Sequence, residues 1–192
     1  MQNLISSSTP LVEKLKGVVG FFGIRTADEP EYILKESDGN HEVRAYLPYT
    51  VASIEMNESF EDASDELVDY IFGKNSTKTE MPMTFPVMHE NKGAKKSVCF
   101  VLPEGITTKN APIPNNLNVR IESRPAEVVA SIEYTGVNTV ERMYEKEQEL
   151  IKWIHAETSF IIDGEPRLAE YDQSISLPFL RRNEIQIPIR AN

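Results

Sequence analysis

The pentapeptide VASIE occurs twice in this chain of 192 residues, as Val51-Ala52-Ser53-Ile54-Glu55 and as Val129-Ala130-Ser131-Ile132-Glu133. In both copies every second residue is apolar, which is typical of a strand with one buried face. Each copy also follows a Val-Arg dipeptide and a proline, within residues 43–48 and 119–125. The repeated context predicts one structural unit that the chain uses twice.

A helical pattern follows each copy of VASIE. The first helix is predicted to begin after Ser59, a suitable N-cap, and to stop at Gly73. Its apolar stripe consists of Phe60, Ala63, Leu67 and Ile71. The second helix is predicted to begin at Asn138. Its stripe consists of Val140, Met143, Tyr144, Ile151 and Ile154.

Two further strand candidates follow each predicted helix, at residues 83–88, 97–102, 175–179 and 185–189. The order is therefore β-β-α-β-β, once over about residues 40–103 and again over 117–190. Short connections at residues 47–49 and 92–93 predict antiparallel pairing between the strands that they join. The sequence predicts an α+β fold, a distorted antiparallel β-barrel of two pseudo-symmetric ββαββ repeats flanked by two helices.

Composition limits the function classes. The net charge of −10 argues against nucleic acid as a partner, because phosphates attract basic surfaces. The single cysteine, Cys99, excludes an intrachain disulfide and favours a reducing compartment. No apolar run reaches the roughly 20 residues that a membrane-spanning helix needs. We therefore predict a cytoplasmic protein with one domain over residues 28–192.

Residues 1–27 are predicted to form a helical extension. Thr9 is a suitable N-cap, Pro10 suits the first helical position, and the apolar residues that follow recur at helical spacing. We expect this helix to dock on the domain or on a partner. Peripheral contact with a membrane surface is the alternative.

Several motifs, in order along residues 29–190, resemble those of the SOUL/haem-binding protein family. They are Glu29-Pro30-Glu31-Tyr32, Glu42-Val43-Arg44-Ala45-Tyr46, Tyr70-Ile71-Phe72-Gly73-Lys74-Asn75, Met83-Thr84-Phe85-Pro86-Val87 and Arg182-Asn183-Glu184-Ile185. The resemblance implies a distorted barrel of two pseudo-repeats that binds haem or another porphyrin. The family has no universal axial histidine, so an axial protein ligand is not required.

A tetrapyrrole site needs a flat apolar surface and cations for the ligand's carboxylates. We predict an apolar groove along the first helix as that surface. Arg44 and Lys74 are candidate cations, and His41 is a candidate axial ligand. The candidate apolar contacts are Leu67, Ile71, Met81 and Met83. The alternative is that these apolar residues belong to the core and that His41 is an exposed turn residue.

The sequence contains no recognisable catalytic motif and no pair of histidines with metal-site spacing. Cys99 lies between Val98 and Phe100, which favours a buried core residue over a nucleophile or a metal ligand. We therefore predict a non-enzymatic binding protein for haem or a related tetrapyrrole, for carriage or buffering. A protein-interaction module, acting through residues 1–27 or 156–172, is one alternative, and a binder of another small hydrophobic ligand is a second. A small hydrolase with a buried carboxylate of raised pKa is the least favoured.

Overall fold

The computed structural model describes residues 28–56, 60–93, 95–172 and 177–192. The predicted N-terminal helix and the predicted N-cap Ser59 lie outside these residues. No helix in the described part of the chain is long and apolar enough to cross a membrane.

Ten strands and two α-helices make up the described fold. The elements of the first half are β1 (Tyr32–Asp38), β2 (His41–Tyr46), β3 (Tyr49–Glu55), α1 (Phe60–Ile71), β4 (Val87–Lys92) and β5 (Lys95–Val101). Those of the second half are β6 (Arg120–Arg124), β7 (Glu127–Thr135), α2 (Val140–Glu157), β8 (Phe160–Ile162), β9 (Arg167–Glu170) and β10 (Arg182–Ala191). A short 3₁₀ helix, Pro178–Leu180, precedes β10.

All the strands form one antiparallel sheet in the order β1-β2-β7-β10-β9-β4-β5-β3-β6, with β8 paired to β10 beside this path. From β2 to β6 the strand order is symmetric between the two halves. Each strand of the first half has a counterpart in the second half, namely β6 for β2, β7 for β3, β9 for β4 and β10 for β5. Reversing the order and replacing each strand by its counterpart gives the same order. The sheet curls into a half-barrel, and the predicted α+β class with a distorted barrel and two helices is confirmed.

The prediction that β2 pairs with β3 is wrong. β2 pairs with β7, and β3 pairs with β6. Both strands therefore pair with strands of the second half instead of with each other. The connection Leu47-Pro48 is short, but it turns a corner between two parts of the sheet instead of closing a hairpin. The other short connection does join a pair, because β4 and β5 are antiparallel neighbours.

The structure differs from the prediction at two of the predicted strands. Residues 83–86 are not a strand, and β4 begins at Val87. Of the predicted strand at 175–179, residues 175–176 lie outside the described residues, and Pro178 and Phe179 belong to the 3₁₀ helix. The strand between β10 and β4 in the sheet is β9. β9 falls inside the 156–172 segment that was a candidate interaction surface, so much of that segment belongs to the sheet. β1 and β8 were not predicted.

Both helices pack on the same face of the sheet. α1 contacts β3 and β5, and α2 contacts β7, β8 and β10. The alanine and isoleucine of each VASIE copy lie in the clusters under these helices, Ala52 and Ile54 under α1 and Ala130 and Ile132 under α2. The other face of both copies is also buried, because it lines the inside of the curled sheet.

The start of α2 differs from the prediction in one residue. Thr139 is the N-cap, and its hydroxyl accepts a hydrogen bond from the backbone N–H of Arg142 at 3.2 Å. The side chain of Asn138 instead donates to Glu170 and to Asn183. Val140 and Tyr144, which were placed in the buried stripe, are 74% and 62% exposed.

Candidate functional site

The inside of the curled sheet holds a network of buried charges. Alternation along β10 turns Ile185 and Ile187 toward α2 and turns Glu184 and Gln186 inward. Glu184 is fully buried, and its Oε2 lies 2.8 Å from Nη1 of Arg44, while its Oε1 lies 2.6 Å from Nη2 of Arg182. Both faces of β10 are therefore buried.

These contacts keep Glu184 ionised. Burial alone would raise its pKa, but Arg44 and Arg182 outweigh burial and hold the pKa below its usual value. The hydroxyl of Tyr171 also donates to Glu184 at 3.0 Å. The ionised pair therefore stabilises the fold above the unfolded-state pKa, and this contribution is lost as the pH falls through the folded-state pKa.

Further hydrogen bonds show how far the sheet curls. Four strands lie between β3 and β7 in the sheet. The hydroxyl of Tyr49 on β3 nevertheless donates to Glu127 on β7 at 3.2 Å. Arg167 pairs with the same Glu127 oxygen at 2.7 Å. Arg124 pairs with Glu90 at 2.7 Å and contacts the buried Cys99 sulfur at 3.4 Å. The interior thus holds paired polar groups beside an apolar cluster, which consists of Val51, Met88, Cys99, Val101, Ala169 and Tyr171.

A cavity of about 590 Å³ lies beside this network. Its walls come from the chain before β1, from the corner between β2 and β3, and from the segment after β5. Buried Thr50, Thr84, Val101 and Leu102 are among the lining residues, together with the partly buried Ile106. The other apolar lining residues include Leu47, Pro48, Tyr49 and Pro103.

Carboxylates give the cavity its charge. Asp28, Glu29, Glu31 and Glu104 line it. Glu29 pairs with Arg182 at 3.1 Å, which connects the cavity to the buried network around Glu184. The described residues that line the cavity include no lysine, arginine, histidine, cysteine or methionine.

The sequence-predicted apolar contacts lie in the core under α1. Leu67 and Ile71 are 0% and 1% exposed, and Met81 is 7% exposed in the same cluster. Met83 packs against that cluster and is partly buried. Lys74 lies beyond the end of α1, exposed, with its Nζ 2.6 Å from Asp69.

The two remaining predicted residues lie on opposite faces of β2. Arg44 faces inward and is engaged by Glu42 and Glu184. His41 faces α2, where its ring stacks on Trp153 with the ring centroids 5.0 Å apart. The structure therefore brings Leu67, Ile71, Met81 and Met83 together but separates them from His41 and Arg44. None of the seven predicted residues lines the cavity.

Sequence reasoning missed the cavity, although one signal pointed toward it. The Glu-Pro-Glu-Tyr motif at residues 29–32 contributes three of its residues to the lining. The segment after β5 lies between the two predicted repeats, which cover about residues 40–103 and 117–190, so neither repeat included it. No group of three or more potential metal-ligating side chains occurs in the described residues.

A model of the SOUL heme-binding protein family matches residues 27–188. The chain belongs to the SOUL heme-binding protein family. None of the curated proteins matches this SOUL chain in sequence.

Solved structures share the fold of this SOUL domain. The EcmrR C-terminal domain aligns with a TM-score of 0.58 at 14% identity, covering 84% of this chain and 99% of its own. A hydrolase from Listeria innocua aligns with a TM-score of 0.58 at 9% identity, covering 81% of this chain and 94% of its own. At such low identity these similarities establish the fold alone.

Membership of the family implies haem as a ligand. The cavity is suited to the macrocycle of haem but not to its carboxylates. Its volume suits the body of a macrocycle, and apolar side chains such as Val101, Leu102 and Ile106 form part of its walls, beside carboxylates and hydroxyls. It provides no cation for the ligand's carboxylates. Tyr49 is of a residue type that holds haem iron in some proteins, but its hydroxyl already donates to Glu127, and burial raises its pKa above the usual value. The lining residues therefore do not fit haem bound through iron and clamped by its carboxylates.

Proposed function

We propose that this SOUL protein is a non-catalytic binding protein that holds a flat apolar ligand of the tetrapyrrole class in its cavity. The observation that carries this proposal is the cavity itself, about 590 Å³ with a buried floor of Val101 and Leu102. Sites for ligands of this size occupy about 300–1,000 Å³ and have mostly apolar walls. Membership of the family supports the tetrapyrrole class.

The electrostatics of the interior favour binding over catalysis. A general acid needs a carboxyl group with a raised pKa. Burial acts in that direction on Glu170, but hydrogen bonds from His89 and Asn138 outweigh it and lower the pKa. Glu184 is also held ionised, by Arg44 and Arg182. Both carboxylates are better suited to holding the sheet together than to transferring protons.

Blocking the cavity is expected to abolish most of the binding. Ser123 is exposed on β6, lines the cavity and lies directly opposite Thr50 in the strand register. Ser123→Trp places an indole where the ligand would lie, so we expect affinity for metal-free protoporphyrin to fall by roughly tenfold or more, the equivalent of about 1.4 kcal/mol. The measurement is a fluorescence titration of the porphyrin.

Ser37→Trp is the matched control. Ser37 is also exposed on a strand, β1, but it does not line the cavity. We expect its affinity to equal that of the unmodified protein. Equal affinities for all three proteins would show that the ligand binds elsewhere.

A further inference from the structure

Most of the cavity's negative charge has no cationic partner among the residues that the structure describes. Of its four carboxylates, Asp28, Glu31 and Glu104 are exposed and form no ion pair with any described residue. Only Glu29 has a cationic partner, Arg182, and that arginine is shared with Glu184. A ligand in this cavity therefore meets several negative charges and no positive side chain from the lining residues.

Thr50 lines the cavity and offers a hydroxyl group to a ligand. Thr50 is 7% exposed, and its hydroxyl has no hydrogen-bond partner among the described residues. Its backbone carbonyl is already used, because it accepts from the N–H of Leu102 at 2.8 Å. The nearby Thr84 hydroxyl donates to the carbonyl of Val101. The Thr50 hydroxyl is thus available to a ligand.

Charge of this kind discriminates between ligands of similar size. A cleft with like charges on low-dielectric walls focuses the field, so a carboxylate entering it loses hydration without gaining a cation. Haem and protoporphyrin carry two carboxylates at their edge. The apolar body of the macrocycle suits the walls, while these edge groups conflict with Asp28, Glu31 and Glu104.

We infer that the cavity selects against carboxylates on its ligand and takes a tetrapyrrole whose edge groups are uncharged or cationic, with the Thr50 hydroxyl bound to one polar atom. This inference rests on the proposed function, since it concerns the same cavity. The cavity volume and the apolar part of its walls make the site, and the carboxylates set only which ligands it prefers.

A matched pair of metal-free porphyrins tests the inference without iron ligation. One is protoporphyrin, with two carboxylates, and the other is its bis(aminoethyl) amide, with two ammonium groups in their place. We expect the cationic compound to bind about tenfold more tightly at low salt, with the ratio decreasing as salt screens the carboxylates. Equal affinities, or tighter binding of the dicarboxylate, would overturn the inference.

Variants separate the cavity carboxylates from the overall negative charge of the protein. The quantity compared is the affinity for the cationic porphyrin divided by the affinity for protoporphyrin. In Glu31→Gln/Glu104→Gln this affinity ratio is expected to fall about fivefold, since two of the exposed cavity charges are gone. The control, Glu145→Gln/Glu157→Gln, removes two exposed charges from α2, which does not line the cavity. It is expected to leave the ratio within about twofold of the original. The same ratio in both double variants would attribute the preference to net charge and overturn the inference.

Thr50→Val gives a second readout for the ligand contact. We expect this variant to bind both porphyrins about fivefold less tightly, because the substitution removes a hydrogen bond and not a charge. Unchanged affinity for both would remove Thr50 from the site. If neither porphyrin binds saturably to the unmodified protein, the proposed function fails and the inference fails with it. If both bind and Ser123→Trp blocks both, but the affinities are equal, only the inference fails.

Discussion

Arg44→Met is expected to lower the free energy of unfolding by about 3–5 kcal/mol. Arg44 is 3% exposed, and its guanidinium neutralises Glu184, which is fully buried. Removing the arginine leaves a buried carboxylate with fewer cations, and the methionine cannot reach it with a donor. Urea unfolding at pH 7, followed by circular dichroism, measures the change.

Two controls assign this loss to the buried pair. Arg190→Met breaks the ion pair with Asp163, in which both side chains are more than half exposed, and we expect a change of about 0–1 kcal/mol. The double variant Arg44→Met/Glu184→Met removes both charges and is expected to recover part of the loss. If Arg44→Met is no more destabilising than Arg190→Met, then the interior network does not hold the half-barrel together.

Leu67→Ala is expected to lower the free energy of unfolding by about 2–5 kcal/mol and to leave the porphyrin affinity of the folded protein unchanged. Leu67 is fully buried in the cluster between α1 and the sheet, together with Ile54 and Phe100. The alanine leaves a cavity under the helix that the neighbouring side chains only partly fill. Thermal or urea unfolding gives the first quantity, and titration of the folded protein gives the second.

This substitution discriminates between the two interpretations of the residues on and after α1. Lys74→Ala is the matched control, because both side chains of the Lys74–Asp69 ion pair are exposed. We expect the free energy of unfolding to change by less than about 1 kcal/mol. A large loss of affinity with little loss of stability in Leu67→Ala would instead support a ligand groove along α1.

Local patterns in the sequence were sufficient for both α-helices and for the two strands that carry VASIE, but not for the pairing of the strands. The helical stripe through Leu67 and Ile71 and the alternation through VASIE depend on neighbours within a few residues, so they are readable directly. The partners of β2 and β3 depend on strands almost 80 residues away, β7 and β6, and on a corner at Leu47-Pro48. A short connection predicts a hairpin in the absence of that information.

The candidate site was less predictable than the fold for a related reason. Its lining combines residues 28–31, 47–50 and 101–108, which only the folded chain brings together. The residues that do stand out in sequence, such as Leu67, Met81 and Arg44, stand out because they are apolar or charged within regular elements. Those elements use them in the core and in the interior ion-pair network.

The location of the ligand is the central claim, and backbone amide chemical shifts test it most directly. In ¹⁵N-labelled protein titrated with a metal-free porphyrin, we expect the largest changes at residues 101–108, at 47–50 and at Ser123, which surround the cavity. The account would be contradicted if the largest changes lay at residues 67–74 and 81–83, or around His41, with the amides of the cavity unaffected.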